Sequence, residues 1–246
     1  MVASPNYTQF APSALLFDHI ACYWSRCSFF PVSGHTVVPD NCVDLIVQLG
    51  GSDAGFSRGM FLTGMMTRPL FVSRSDVRSV FGIRFKPGGV QAFLRLFVGH
   101  FQDERPPAAD LWPDAGKLQD ALLHARDDAE RCQATDRFLL SRIKPDRCDK
   151  RIMSAVSMLE TGATTIGAVA TRLNLSRQRL HALFLENVGL SPKVFGRVAR
   201  FQRAVRLIRT GDESAASIAS EAGYSDQAHM IREFRVLTGA TPATLA

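Results

Sequence analysis

The sequence predicts an α+β N-terminal domain over residues 1–145, a small antiparallel sheet with helices, followed by an all-α domain over residues 146–246 that contains two helix-turn-helix units. Three observations carry this reading. Apolar residues alternate with period two in two runs before Lys86, no strand pattern survives beyond Asp149, and the last third of the chain contains a duplication. With 246 residues, 46% hydrophobic and 21% charged, the composition is that of a folded globular chain and excludes disorder as the main state.

Residues 1–34 read as an apolar, aromatic lead-in containing Trp24 and Pro31. In CVDLIVQLG, Val43, Leu45, Val47 and Leu49 fall on one face of a strand and Asp44 and Gln48 on the other. VRSVFGIRF repeats the pattern, with Val77, Phe81, Ile83 and Phe85 set against Arg78 and Arg84. The turn-rich GGSDAGFSRG and MMTRP between them make residues 35–86 a small antiparallel sheet, ended by KPGG. Val90, Phe93, Leu94 and Phe97 then recur at i, i+3, i+4 and i+7, which predicts a helix with one buried face. Two more helices are expected between Gly116 and Ile143, and Pro145 marks the domain boundary.

The charge is uneven. Residues 151–246 carry 12 Lys+Arg against 7 Asp+Glu, a net of +5, whereas residues 1–150 carry 17 against 16. Basicity concentrated in one unit points to a polyanionic partner. The same region repeats itself. Val169, Ala170, Leu173, Asn174, Leu175 and Ser176 correspond to Ile218, Ala219, Ala222, Gly223, Tyr224 and Ser225 at an offset of 49. After one inserted residue the offset is 50: Leu180, Phe184, Gly189 and Pro192 correspond to Met230, Phe234, Gly239 and Pro242. Each copy reads as a short helix, a tight turn and a second helix. Asn174 and Gly223 suit the left-handed backbone of the turn, and Ser176 and Ser225 stand where the second helix needs an N-cap. Small Ala170 and Ala219 fit the closest approach of two crossing helices. In a helix-turn-helix the second helix enters the major groove, its N-terminal residues touching base edges.

A single long helix joins the copies. Val194, Val198, Phe201, Val205 and Ile208 form one apolar stripe between Ser191 and Thr210, with Lys193, Arg197, Arg200 and Arg203 opposite and Arg206 nearby. At ~1.5 Å per residue such a helix is about 28 Å long. Successive major-groove segments on one side of B-DNA lie ~34 Å apart, so one rod can hold two reading helices about a turn apart. Lys193, Arg197 and Arg200 are the expected phosphate contacts.

These features resemble the AraC/XylS family of transcription regulators. The resemblance covers about residues 150–245, through TTIGAVATRLNLSRQRLHALFLENVGLSPKVFGRVARFQRAVRLI and SAASIASEAGYSDQAHMIREFRVLTGATPATL, and is most specific in A-G-Y-S-D-Q-A-H-x-x-R-E-F and the later G-x-T-P. It implies a seven-helix domain that binds double-stranded DNA and controls transcription. It places the base-reading positions of the first unit at Gln178, His181 and Ala182, with Arg177 and the capping Ser176 beside them, and those of the second at Ala228, His229, Ile231 and Arg232. Gln178 can pair with adenine N6/N7, Ala182 can touch only a thymine methyl, and Arg232 can grip guanine O6/N7. Arg232 could instead bind phosphate, or pair with Glu233 or Glu221. Ser225 and Gln227 are expected at the cap and on backbone phosphates, and His229 is expected to pack against the bundle. More weakly, VPDNCVDLIVQLG and FGIRFKPGGVQAFL resemble an uncharacterised domain found ahead of such units, which implies a sensing or assembly role. A small-molecule effector, RNA polymerase and a second copy of the chain are the further expected partners.

Other functions find less support. There is no G-x-G-x-x-G after a strand and no G-x-x-x-x-G-K-[ST]. No apolar run reaches the ~18 residues that span a bilayer, and the first residues lack the pattern of a secretory signal, so a cytoplasmic location is expected. The five cysteines include no C-x-x-C pair, which argues against structural zinc and against a disulfide framework. No metal and no cofactor is expected, and the chain is not expected to be an enzyme. One rival is a thiol-reactive sensor or enzyme fused to a DNA-binding module, for which Cys42, with Asp44 on the same face and His35 nearby, would be the candidate. Another is an N-terminal domain that serves only to dimerise.

Overall fold

The computed structural model describes residues 7–27, 35–50, 59–72, 79–211 and 214–244. Among the described residues seven strands come first: β1 (Tyr7–Phe10), β2 (Ile20–Cys27), β3 (His35–Val37), β4 (Val43–Gly50), β5 (Met60–Thr63), β6 (Leu70–Val72) and β7 (Ser79–Phe85). They form a five-stranded sheet of order β1-β2-β7-β4-β5 and a separate β3–β6 pair, antiparallel throughout. The helices α1 (Ala108–Leu111), α2 (Ala115–His124) and α3 (Asp128–Leu140) follow, the last two where two helices were expected. After a 3-10 turn at Pro145–Arg147 the described chain is helical: α4 (Lys150–Thr161), α5 (Ile166–Arg172), α6 (Arg177–Asn187), α7 (Pro192–Thr210), α8 (Ala215–Ala222) and α9 (Gln227–Thr238). A seventh helical segment there is only the 3-10 turn Pro242–Thr244.

Period two holds in the core of the sheet. Val43, Leu45 and Val47 of β4 and Phe81, Ile83 and Phe85 of β7 are at most 2% exposed, and Leu118 and Leu122 of α2 and Phe138 and Leu139 of α3 pack into the same core. The opposite face is covered as well. Asp44 and Gln48 are buried there. Asp44 accepts from Trp24 Nε1 at 3.0 Å and from Arg84 Nε at 3.1 Å, while Arg84 Nη2 also pairs with Asp40 at 2.8 Å. Burial of these charges is tolerable because each is paired and hydrogen-bonded. Trp24 reaches Asp44 by lying across Gly82, where an added Cβ would come within 2.1 Å of the indole.

Two expectations are corrected. The lead-in contains β1 and β2, and β2 has an irregular register between Ile20 and Cys22 that breaks its alternation. Residues 90–97 are not an α-helix: a 3-10 turn covers Gly89–Ala92, and residues 94–97 are irregular. The Gln91 amide replaces the helical ladder, donating to Leu96 O at 2.6 Å and accepting from Leu96 N at 3.3 Å. Val90, Phe93 and Leu94 are nevertheless buried, whereas Phe97 is exposed. Pro31, Val77, Arg78 and most of GGSDAGFSRG lie outside the described residues.

The hydrophobic core does not stop at Pro145. One cluster runs from Leu16, Tyr23 and Val43 through Ile152, Leu180 and Phe184 to Phe195, so the first helix-turn-helix unit is packed against the sheet domain. A second cluster, built on Val198, Phe201, Ala204, Met230 and Phe234, belongs to the second unit. Polar ties reinforce the first junction. Gln91 Nε2 donates to Glu186 O at 3.1 Å and Asn41 Nδ2 to Phe195 O at 3.0 Å. Across the second, Gln202 Nε2 donates to Pro39 O at 2.5 Å.

Candidate nucleic-acid interface

Both copies of the duplication are built by the same local devices. Thr165 caps α5 by accepting from Ala168 N, and Ser214 caps α8 by accepting from Ser217 N. Each first helix ends on a residue of positive φ, Asn174 at 53° and Gly223 at 88°. Directly beyond it, Leu175 N donates to Ala170 O at 2.9 Å and Tyr224 N to Ala219 O at 2.8 Å. The same backbone bond thus closes both turns. Ala170 and Ala219 are at most 2% exposed, at the crossing with the second helix of each unit. Leu180 and Phe184 seat α6, and Met230 and Phe234 seat α9.

The capping of the two second helices differs. Ser176 accepts from Arg179 N at 3.1 Å, but α9 is capped by Asp226, which accepts from His229 N at 2.6 Å. The expected cap, Ser225, instead donates its hydroxyl to Asp226 Oδ2 and contacts His229 Nδ1. The inserted residue therefore lies inside the turn, and Asp226 stands fifty positions after Ser176. The backbone N–H of His229, with the Ser225 hydroxyl, holds the Asp226 carboxyl below its ordinary pKa.

The leading ends of α6 and α9 project outward. Ser176, Arg177, Gln178, His181 and Ala182 are exposed in the first unit, and Ser225, Gln227, Ala228 and Arg232 in the second. His229 and Ile231 are half-buried, and the His229 ring meets Tyr224 edge-on at 5.2 Å, as packing against the bundle requires. Arg177 folds back across α5, where an added Cβ on Gly167 would lie 2.8 Å from its Nη2. Lys193 and Arg206 are exposed on α7.

Arg197, Arg200 and Arg203 of α7 are engaged inside the chain. Arg200 Nη2 lies 3.1 Å and Arg197 Nε 3.5 Å from Glu233 Oε1, and Arg200 also stacks over the Tyr224 ring. Arg203 donates to Glu160 O at 2.7 Å and to Ala222 O at 3.0 Å, satisfying carbonyls near the ends of α4 and α8. Burial and the neighbouring Arg200 and Arg206 pull the Arg203 pKa down. Arg197 and Arg200, expected on phosphates, thus tie α7 to α9, and Arg232 is not the partner of Glu233. Sequence reasoning considered Glu233 only as a neighbour of Arg232. Its position three residues after Met230 and four before Leu237, both buried, was the available sign that it faces inward.

The surroundings of four cysteines disfavour the thiolate. Burial pushes Cys42 well above the ordinary thiol range, raises Cys22 and Cys148, and takes Cys132 up to about 12. A nucleophilic cysteine needs the opposite shift. The His35 side chain lies outside the described residues. Among the described residues no group of three His, Cys, Asp or Glu could hold a metal, and no helix is long and apolar enough to cross a membrane.

Two family profiles match separate stretches of the chain. The profile of a helix-turn-helix domain matches residues 169–246, and that of a domain of unknown function, DUF6597, matches residues 8–107. The HTH-type transcriptional activator RhaS of Escherichia fergusonii is 30% identical over 100 residues, 39% of this chain and 36% of that protein. The raffinose operon transcriptional regulatory protein RafR of Pediococcus pentosaceus is 33% identical over 93 residues, 36% of this chain and 33% of that protein. The chain thus matches only about a third of the length of these relatives. Among solved structures, ToxT of Vibrio cholerae aligns over 97% of both chains at 12% identity and a TM-score of 0.49.

Proposed function

We propose, on the premise that residues 169–246 form a helix-turn-helix domain of the AraC/XylS type, that the chain is a DNA-binding regulator of transcription whose two units read adjacent major-groove segments. The observation that carries the reading is the equivalence of the two units. They share their turn hydrogen bond, their buried alanine and an outward-pointing second helix, and a 19-residue α7 separates them. Gln178 and Ala182 of α6 and Ala228 and Arg232 of α9 are the base-reading positions. His181, Ser176, Lys193 and Gln227 hold the phosphate backbone, positioning the protein without specifying sequence. Small and apolar residues in α9 leave Arg232 as its main discriminating contact.

Control enters through the N-terminal domain. The continuous core, together with the ties from Gln91 to Glu186 and from Asn41 to Phe195, supports this part of the reading, because a change in the sheet domain meets α6 and α7 directly. The controlling agent is a small molecule or a partner protein, and RNA polymerase and a second copy of the chain are proposed partners of the DNA-bound state. Selection of bound duplex from a random library by the purified full chain tests the proposal. It should enrich two short conserved blocks with centres about 10 bp apart, one helical turn. Enrichment of a single block, or of none, would overturn it.

A further inference from the structure

The two reading helices are seated by different chemistry. Fifty residues before Glu233 stands Leu183, buried in the first core cluster. The first unit therefore fixes α6 by apolar packing and by contact with the sheet domain. The second unit has its own smaller core and places a carboxylate at the matching position. Glu233 is only 14% exposed and gathers three basic groups: Arg200 at 3.1 Å, Arg197 at 3.5 Å and His229 Nε2 at 3.6 Å. A carboxylate so placed keeps its charge only if it stays paired, so it resists rotation of α9 against α7. Glu233 is also the chain neighbour of Arg232. About 100° of helix rotation separates the two, so the seat of one sets the aim of the other.

We propose that Glu233 is a positioning residue for DNA reading: clamped by Arg197 and Arg200 of α7, it fixes the angle of the second recognition helix and thereby the spacing at which the two units bind. This rests on the two-segment reading above. It assigns Arg197 and Arg200 to the protein's internal geometry and leaves Lys193 as the phosphate contact proposed for α7.

The test uses the full chain, the bipartite duplex enriched by wild type in the selection, and two further duplexes with one base pair added or removed between the blocks. One base pair displaces the second block by about 3.4 Å and turns it by roughly 35°. Wild type should lose at least about tenfold in affinity on either altered duplex, as for the loss of one good base contact. Glu233→Gln should lose about tenfold on the original duplex and discriminate the three by less than about threefold. Arg200→Gln should behave the same way, and the double variant should be no worse than either single one. A phosphate contact would lower the salt slope by about 1 on removal, so Arg200→Gln should keep the wild-type slope.

The proposal is overturned if Glu233→Gln weakens all three duplexes equally, if it changes nothing, or if Arg200→Gln lowers the slope. Should Glu233→Gln fail to fold, Arg200→Gln decides by the same measurements. A wild type indifferent to spacing would refute the two-segment reading itself, and the role of Glu233 with it, whereas a spacing-dependent wild type with an equally spacing-dependent Glu233→Gln would refute only the clamp.

Discussion

Replacement of Gln91 by leucine tests whether the sheet domain and the first reading unit unfold together. Gln91 is 5% exposed, and its amide serves Leu96 N, Leu96 O and Glu186 O, the last on the recognition helix α6. Leucine keeps most of the volume but none of these bonds. The Leu96 N–H loses the acceptor that Gln91 Oε1 gives it, and each part-buried group left without a partner costs up to about 1–3 kcal/mol. Some of the three will find other partners, so the expected loss is about 2–4 kcal/mol, or roughly 4–16 °C in Tm at ~2–4 °C per kcal/mol for a chain of this size. Urea titration followed by tryptophan fluorescence and by circular dichroism at 222 nm is the assay. Trp24 and Trp112 both lie in the N-terminal part, whereas much of the helix lies beyond Pro145. Because one core cluster spans that boundary, both signals should shift to lower urea together, with any separate transition confined to the second unit. A loss below about 1 kcal/mol would show that the amide bonds are dispensable. A fluorescence transition that moves while the whole helical signal stays in place would refute the shared core.

Arg232→Ala should cost roughly 1–3 kcal/mol on the selected duplex and little on random duplex, measured by fluorescence anisotropy; an equal loss on both would place Arg232 on the backbone. Gly82→Ala should give insoluble or strongly destabilised protein, because the new Cβ would overlap the Trp24 indole, and a wild-type Tm would contradict the packing. The Asp226 pKa is depressed by its cap bond, so its contribution to stability is complete above the unfolded carboxylate pKa and is lost as pH falls through the lower folded value. Asp226→Asn, which can still cap, should therefore flatten the acid limb of a thermal-stability profile; an unchanged limb would show that the charge is irrelevant to α9.

The helical third was legible because its determinants are local. Asn174 and Gly223 at the turns, the alanines at the crossings and the stripe on α7 each depend on residues a few positions apart. The sheet was half legible. β4 and β7 alternate, but β2 carries an irregular register, and Asp44 and Gln48 are covered by partners distant in sequence. Residues 90–97 misled because helical spacing of Val90, Phe93 and Leu94 reports burial, which an irregular segment held by Gln91 also achieves. In the site, the exposed ends of α6 and α9 followed from the pattern. The pairing of Glu233 with Arg197 and Arg200 did not, because it depends on how α9 lies across α7, and a row of arginines on one helix face looks the same whether it meets phosphate or a carboxylate.

Hydroxyl-radical footprinting of the full chain on its selected duplex bears most directly on the central claim, that two equivalent helices enter successive turns of the major groove. Two protected segments are expected on one face of the duplex, with centres about 10 bp apart, and loss of the segment nearest the guanine contact in Arg232→Ala. A single protected segment, or two that persist unchanged in that variant, would contradict it.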